Sequence, residues 1–245
     1  MDQVRILGVT VDNVTMDQAE ALVWKWMEET GNRMIVTPNP EIIYRAYQEP
    51  AFREVLNSSD LTLPDGIGVV YGAKILGTPL QERVPGYELC CRVLQGLSEH
   101  GKSVFLLGGK PGVAEQAAER IPGMFPGAKV AGFCDGYFKD DGAVIEQINR
   151  SGADFLMVCI GFPRQEQWIA RYRDRLNVKV SIGAGGSVDV LAGTVKRAPA
   201  FFCKFGLEWF YRLLKQPWRL KRMMVLPKFL WTVMIRKAKG DGANA

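Results

Sequence analysis

Asp65 is the carboxylate best placed for chemistry. It stands in Asp60-Leu61-Thr62-Leu63-Pro64-Asp65-Gly66-Ile67-Gly68, directly after a short apolar run. A carboxylate at the carboxyl end of a strand can serve as a general base toward an acceptor hydroxyl. Pro-Asp-Gly is also a common turn sequence, so these residues alone leave both roles open. Thr37 and Asn39, in Thr37-Pro38-Asn39-Pro40-Glu41, offer neutral hydrogen-bonding groups that suit sugar hydroxyls and acetamido groups. Asn39 equally suits an N-cap, with Pro40 at the first helical position, and the two roles can coexist.

Phosphate chemistry is suggested by the glycine-bearing stretches. Gly108 and Gly109, Gly161 and Pro163, and Gly183 and Gly185 each follow an apolar run. Glycine permits close backbone approach, and a following helix N-terminus favours an anion. Gln165, Glu166 and Gln167 open the helix after Gly161. Gln165 and Glu166 join the glycines as candidate nucleotide contacts. At least one of the three faces nucleotide or sugar on this reading, and the rest are first-turn residues facing solvent. Near the C-terminus Arg212, Lys215, Arg219 and Arg222 would form one basic stripe if helical. Such a stripe could grip a diphosphate or simply be a solvated face. Pro217 should kink or split that helix.

Several chemistries are excluded or weakened. There is no G-x-x-x-x-G-K-[ST] and no dinucleotide fingerprint. The absence of D-x-D removes the usual carboxylate clamp for a metal–nucleotide pair. His100 is the only histidine and sits at a helix end, which argues against a His-rich metal site or a Ser-His-Asp triad. Neither metal nor cofactor is expected. Asp140-Asp141 reads as a polar turn before a helix.

These residues need a scaffold. Short apolar runs alternate with helical patterns, the sign of a parallel sheet with crossover helices. Strands are expected near 5–9, 34–37, 61–63, 103–107, 129–132, 155–160 and 179–182. Helices are expected near 16–30, 41–47, 86–99, 113–120, 143–149 and 165–176. The fold class is α/β: a Rossmann-like parallel-sheet domain over 1–195, and a C-terminal helical, membrane-binding appendage over 196–245. In open α/β sheets ligands bind beyond the carboxyl ends of the strands, where the loops above fall.

The charge is uneven. Of the net +5, residues 197–245 contribute +9, from eleven basic residues against Glu208 and Asp241, and the rest carries −4. The same end holds Phe201, Phe202, Phe205, Trp209, Phe210, Trp218, Phe229 and Trp231. Basic residues mixed with large apolar ones read as an element for an anionic membrane surface, not for nucleic acid. A C-terminal helix packed on the body is the competing reading. No secretory signal and no run of about 18 apolar residues is seen. Unpaired cysteines, with Cys159 in an apolar run, point to the cytoplasm. The oligomeric state stays open, a homo-oligomer included.

Together the motifs resemble one family. The stretches around Thr37, Asp65, Gly161 and Gly183-Ala184-Gly185-Gly186-Ser187-Val188-Asp189 are similar to those of the WecG/TagA/CpsF glycosyltransferases, as are Arg197-Ala198-Pro199 and Glu208-Trp209-Phe210-Tyr211-Arg212-Leu213. They span nearly the whole chain in the family's order and are most similar to its TagA-like branch. The resemblance implies inverting, metal-independent transfer of N-acetylmannosamine from its UDP donor to position 4 of N-acetylglucosamine on undecaprenyl diphosphate, in wall teichoic acid synthesis. It implies Asp65 as base, Thr37, Asn39 and Gln167 lining the substrate pocket, and a C-terminal appendage docked on the inner face of the membrane. Arg212, Arg219 and Arg222 would then lie near the lipid diphosphate. Relatives with nearly the same motifs use other donors, such as UDP-ManNAcA or UDP-glucose. A sugar-nucleotide epimerase or dehydrogenase is the rival enzyme, but it needs a dinucleotide fingerprint and usually a Tyr/Lys pair. A membrane-associated binding module is the rival non-enzyme, and it leaves the polar loops at the strand ends unexplained.

Overall fold

The structure is a computed structural model that describes residues 2–199, 201–202, 207–215, 220 and 224–239. Its centre is a six-stranded parallel sheet. The strands are β3 (Arg33–Val36), β4 (Leu61–Thr62), β5 (Ser103–Gly108), β6 (Lys129–Cys134), β7 (Phe155–Cys159) and β8 (Val180–Gly183), in the spatial order β4-β3-β8-β7-β5-β6. This is the expected α/β class, consistent with a Rossmann-like domain. The interior strands are largely apolar and almost wholly buried because helices cover both faces. Val104 and Leu106 of β5 point into one core while Phe105 and Leu107 point into the other.

One face carries α1 (Met16–Met27), α5 (Gly86–Gly96), α6 (Val113–Met124) and α9 (Ser187–Leu191). Thr15 starts α1 with a capping box closed by Gln18. The opposite face carries α2 (Pro40–Gln48), α3 (Pro50–Asn57), α4 (Ile67–Leu76), α7 (Asp141–Ser151) and α8 (Arg164–Tyr172). Asp140 caps α7, and Asp141 accepts from Trp168 Nε1 and Tyr172 Oη, so the expected polar turn is a helix start tied to α8.

The expected strand at 5–9 is instead a hairpin outside the sheet. β1 (Gln3–Ile6) pairs antiparallel with β2 (Val9–Asp12). Leu7 and Gly8 turn the chain with positive φ, 50° and 85°. Positive φ at both central residues is the tight hairpin geometry, and leucine seldom adopts it.

The C-terminal region contains α10 (Glu208–Lys215) and α11 (Val225–Ala238). α11 lies against α4 and α2. Phe229 and Val233 are fully buried in the same core as the hairpin. Gly72 makes the seat: a Cβ there would stand 3.1 Å from the Phe229 ring. The opposite side of α11 exposes Trp231, Met234 and Ile235, and Met224 is exposed just before its start. Among the described residues no helix is long and apolar enough to cross a membrane.

Candidate active site

The parallel sheet brings the carboxyl ends of β3 and β4 side by side, and their loops pack directly. Gly66, at φ 101°, lets the loop after β4 lie against Asn39 and Pro40, with Pro40 Cδ 3.4 Å from where a Cβ would stand. Gly68 approaches the same proline ring more closely, at 2.6 Å. A third segment joins from the start of α5. Gly86 N–H points at Asp65 Oδ2 at 3.5 Å, and Val84 N–H donates to the Pro64 carbonyl at 3.1 Å. Any side chain on Gly86 would collide with Thr37 Cγ2, 2.5 Å from the Cβ position. Thr37, Asn39 and Asp65 are therefore gathered at one edge, as expected, with Asp65 half-buried at the positive end of α5.

Their hydrogen bonds narrow what each can do. Thr37 Oγ1 donates to the Gly183 carbonyl at 2.8 Å, which locks its rotamer and leaves only lone pairs for a ligand. Asn39 Oδ1 accepts from Glu41 and Ile42 N–H, so the capping role is real. That role uses only the oxygen, which leaves the amide donors. Asp65 is thus a carboxylate beside one fixed acceptor and one available donor pair, a setting for deprotonating a sugar hydroxyl.

The three residues opening α8 divide differently from expectation. Gln165 is buried: Oε1 accepts from Gly185 N–H at 3.1 Å and Nε2 donates to Glu166 Oε1 at 2.8 Å. Gly183 has no room for a side chain because Gln165 Nε2 would be 2.9 Å from its Cβ. Glu166 is also buried, its Oε2 has no hydrogen-bond partner among the described residues, and burial raises its pKa. These two clamp α8 to the loop after β8. Gln167 is exposed on the first turn of α8, and among the described residues no hydrogen bond joins it to Thr37, Asn39 or Asp65.

A second cleft, about 530 Å³, opens further along the same edge. It is lined by Gly109, Lys110, Gly136, Tyr137, Phe138, Cys159, Ile160, Arg164 and Asp189. Gly108 passes so close to the Cys159 backbone that only glycine fits. Gly109 N–H donates to Cys159 O, and Gly136 N–H donates to Gly109 O. The N–H groups of Gly109 and Gly185 are thus spent inside the protein, whereas Gly161 faces open space beside the cis Phe162–Pro163 bond. Arg164 crosses the Phe138 ring at 4.7 Å and donates to Gly136 O. Tyr137 is 66% exposed beside this cleft and offers a flat apolar face. Burial pushes the Cys159 thiol up to about 12, so it stays neutral, a small hydrophobe as expected. The sequence reading did not single out Lys110, Tyr137, Arg164 or Asp189 as site residues; only the sheet order brings their loops together.

Arg83 and Arg197 flank the Asp65 edge as well, both against Glu88. Arg219 and Arg222 lie outside the described residues, and Arg212 falls within α10 with its side chain undescribed. His100 stacks flat on Trp24, ring centroids 4.0 Å apart, away from the site.

Two comparisons bear on what this edge is for. A relative from Bacillus spizizenii is 42% identical over 224 residues, covering 91% of this chain and 87% of its own. One from Staphylococcus aureus is 36% identical over 242 residues, 97% of this chain and 94% of its own. Both are named N-acetylglucosaminyldiphosphoundecaprenol N-acetyl-beta-D-mannosaminyltransferase. The profile of the glycosyl transferase WecG/TagA/CpsF family matches residues 4–242, from the first hairpin past the end of α11, and the chain therefore belongs to that family.

Proposed function

We propose that this chain is an inverting glycosyltransferase. It moves N-acetylmannosamine from UDP-N-acetylmannosamine to the 4-hydroxyl of N-acetylglucosamine on undecaprenyl diphosphate, in wall teichoic acid or related cell-surface polymer synthesis. The names of its relatives describe transfer of N-acetyl-beta-D-mannosamine to N-acetylglucosaminyldiphosphoundecaprenol, which supports this reading. The observation that carries the reading is the meeting of three loops at Asp65, with the Asn39 amide and the fixed Thr37 hydroxyl beside it. Asp65 takes the proton of the acceptor 4-hydroxyl as that oxygen attacks the anomeric carbon. The bond from that carbon to the UDP oxygen breaks, UDP leaves, and the configuration inverts.

The donor's nucleotide occupies the cleft along β5 and β7. Tyr137 gives the base a face to stack on, and Asp189 is a carboxylate for ribose hydroxyls. Lys110 and Arg164 supply positive charge toward the diphosphate. With no D-x-D clamp in the sequence, the reaction needs no metal ion. Thr37, Asn39 and Gln167 hold the sugars, and Arg212, Arg219 and Arg222 hold the lipid diphosphate.

The acceptor is reached at the inner membrane surface, which the protein binds peripherally. The outward side of α11 supports this: Trp231, Met234 and Ile235 are exposed between Lys228 and Lys237. Each such lysine is worth about 1 kcal/mol at an anionic surface. A donor panel tests the whole reading, with UDP release followed in the presence of a lipid-diphosphate acceptor. UDP-N-acetylmannosamine should turn over at least about tenfold faster than UDP-glucose or UDP-ManNAcA. Nicotinamide turnover without UDP release would place the chain in the rival oxidoreductase class.

A further inference from the structure

Arg164 touches one loop twice. The loop is Asp135-Gly136-Tyr137-Phe138, between β6 and α7, and it forms a wall of the second cleft. From the first turn of α8 the Arg164 guanidinium lies 4.7 Å from the centre of the Phe138 ring, and its Nη1 donates to the Gly136 carbonyl at 2.9 Å. Its other N–H groups have no hydrogen-bond partner among the described residues, and no carboxylate among them pairs with it. Those spare donors are left for the donor's diphosphate.

The loop has other supports, and they show what Arg164 adds. Gly136 N–H donates to the Gly109 carbonyl at 2.9 Å, and a Cβ on Gly136 would stand 3.2 Å from that oxygen and 3.3 Å from Ile160 Cγ2. Asp135 Oδ1 accepts from Tyr137 N–H at 2.7 Å, a local turn that satisfies the backbone there. Phe138 meets the edge of Trp168 with ring centroids 6.2 Å apart, and Trp168 Nε1 donates to Asp141 Oδ1. The loop after β5 thus holds Gly136, and Trp168 holds Phe138. Among the described residues, Arg164 is the side chain that holds both, and so it straddles Tyr137. Tyr137 itself is exposed, and its side chain makes no hydrogen bond or ring contact among the described residues. A guanidinium over a ring at an exposed site biases folding by only about two- to fivefold. The larger effect falls on binding: an aromatic face fixed in advance spares an incoming base the cost of ordering it.

We propose that Arg164 is a positioning residue for the nucleobase: by straddling Tyr137 it presets that ring as a stacking platform, a role separate from its charge toward the diphosphate. The inference rests on the reading of this cleft as the donor's nucleotide site. Its test uses the full-length protein with Arg164→Ala, Tyr137→Ala and the double variant, and two probes, UDP and uridine. Uridine carries no phosphate, so the loss of a positive charge does not by itself weaken it. UDP is titrated by calorimetry and uridine by ligand-observed NMR, and hydrogen exchange is followed at the Gly136 and Tyr137 amides. Arg164→Ala should weaken uridine about 3- to 10-fold, and UDP by more because the charge goes too. The double variant should bind uridine no more weakly than Tyr137→Ala alone, since Arg164 acts on the base through that ring. Exchange at the two amides should speed up in Arg164→Ala and stay unchanged in β8. Donor KM should rise while acceptor KM and kcat hold within about threefold. Unchanged uridine affinity beside weakened UDP would leave Arg164 as a charge alone and overturn the proposal. Uridine losses that multiply in the double variant, or unaltered exchange, overturn it as well. Should Arg164→Ala fail to fold, Phe138→Leu keeps the charge, removes the ring beneath it and carries the same readouts. An unsubstituted protein that binds neither UDP nor uridine removes the nucleotide reading and this inference together, whereas uridine binding that survives Arg164→Ala removes the inference alone.

Discussion

Replacing Phe229 by alanine should cost the fold about 4 kcal/mol, within the usual range for a buried phenylalanine. The ring is fully buried, and its Cε1 and Cζ stand 3.1 Å from where a Cβ on Gly72 would sit. Removing it empties a seat shaped by a glycine, and α4 cannot close the gap because its own backbone forms the wall. The expected loss is a large part of a typical domain stability of about 5–15 kcal/mol. With a urea m-value of about 2 kcal/mol/M, the unfolding midpoint should fall by about 2 M, read by far-UV circular dichroism. Trp231→Ala, on the same helix but 63% exposed, should move it by less than about 0.3 M. A Phe229→Ala shift below about 0.5 M would show that α11 is not docked on α4. Deleting everything from Pro199 onward would also remove Phe229 and Val233, so a truncated protein tests folding and membrane contact at once. Point substitutions on the outward side separate the two.

Asp65→Asn should keep donor binding, measured by calorimetry, and lose about 100- to 10,000-fold in turnover; near-normal turnover would remove Asp65 from the role of base. Activity should survive EDTA, and a complete loss restored by Mg²⁺ or Mn²⁺ would refute metal-independent transfer. Trp231→Ala combined with Met234→Ala should weaken sedimentation with anionic liposomes while leaving the unfolding midpoint within about 0.3 M. Glu166→Gln should stabilise the protein at neutral pH. Burial raises the Glu166 pKa above its ordinary value of 4.5, so the folded state resists losing that proton. The contribution is fully favourable below the unfolded-state pKa and is lost as pH rises through the folded one. The gain over the unsubstituted protein should therefore shrink as pH falls toward 4.5, and a gain independent of pH would show that Glu166 is not the titrating group.

The strand ends were legible because parallel strands are apolar on both faces and stop at Gly, Pro or Thr. That rule found the loops at Thr37, Asp65, Gly108 and Gly161. It failed at residues 5–9, where Leu7 adopts a turn conformation that its side chain disfavours. It also missed α3 and α4; α4 is apolar nearly all round and shows little helical period. Asp65 meets Thr37 and Asn39 as the sequence suggested, since Asp65 follows β4 and the other two follow the neighbouring β3. Gln165 and Glu166 turned inward, which no local pattern announces in polar side chains. The Glu88 pairs and the cleft residue Tyr137 depend on segments distant in sequence, so spacing could not reveal them. Local composition was equally silent on α11, because a helix with apolar residues on two sides reads the same whether one side is packed or both are free.

The sheet's two outer strands bear on how the protein behaves when crowded. An unpaired strand edge is a template for other chains, and long flat edges invite polymerisation. Here one border, β4, is only two residues long and offers an incoming strand little to pair with. The other, β6, is longer, but its pairing with β5 slips at Val104/Phe105, leaving Ala131 as an extra residue that bends the strand. Lys129 adds a charge at its start. Wherever copies of the protein are crowded together, blunt borders of this kind keep their encounters from ending in fibres.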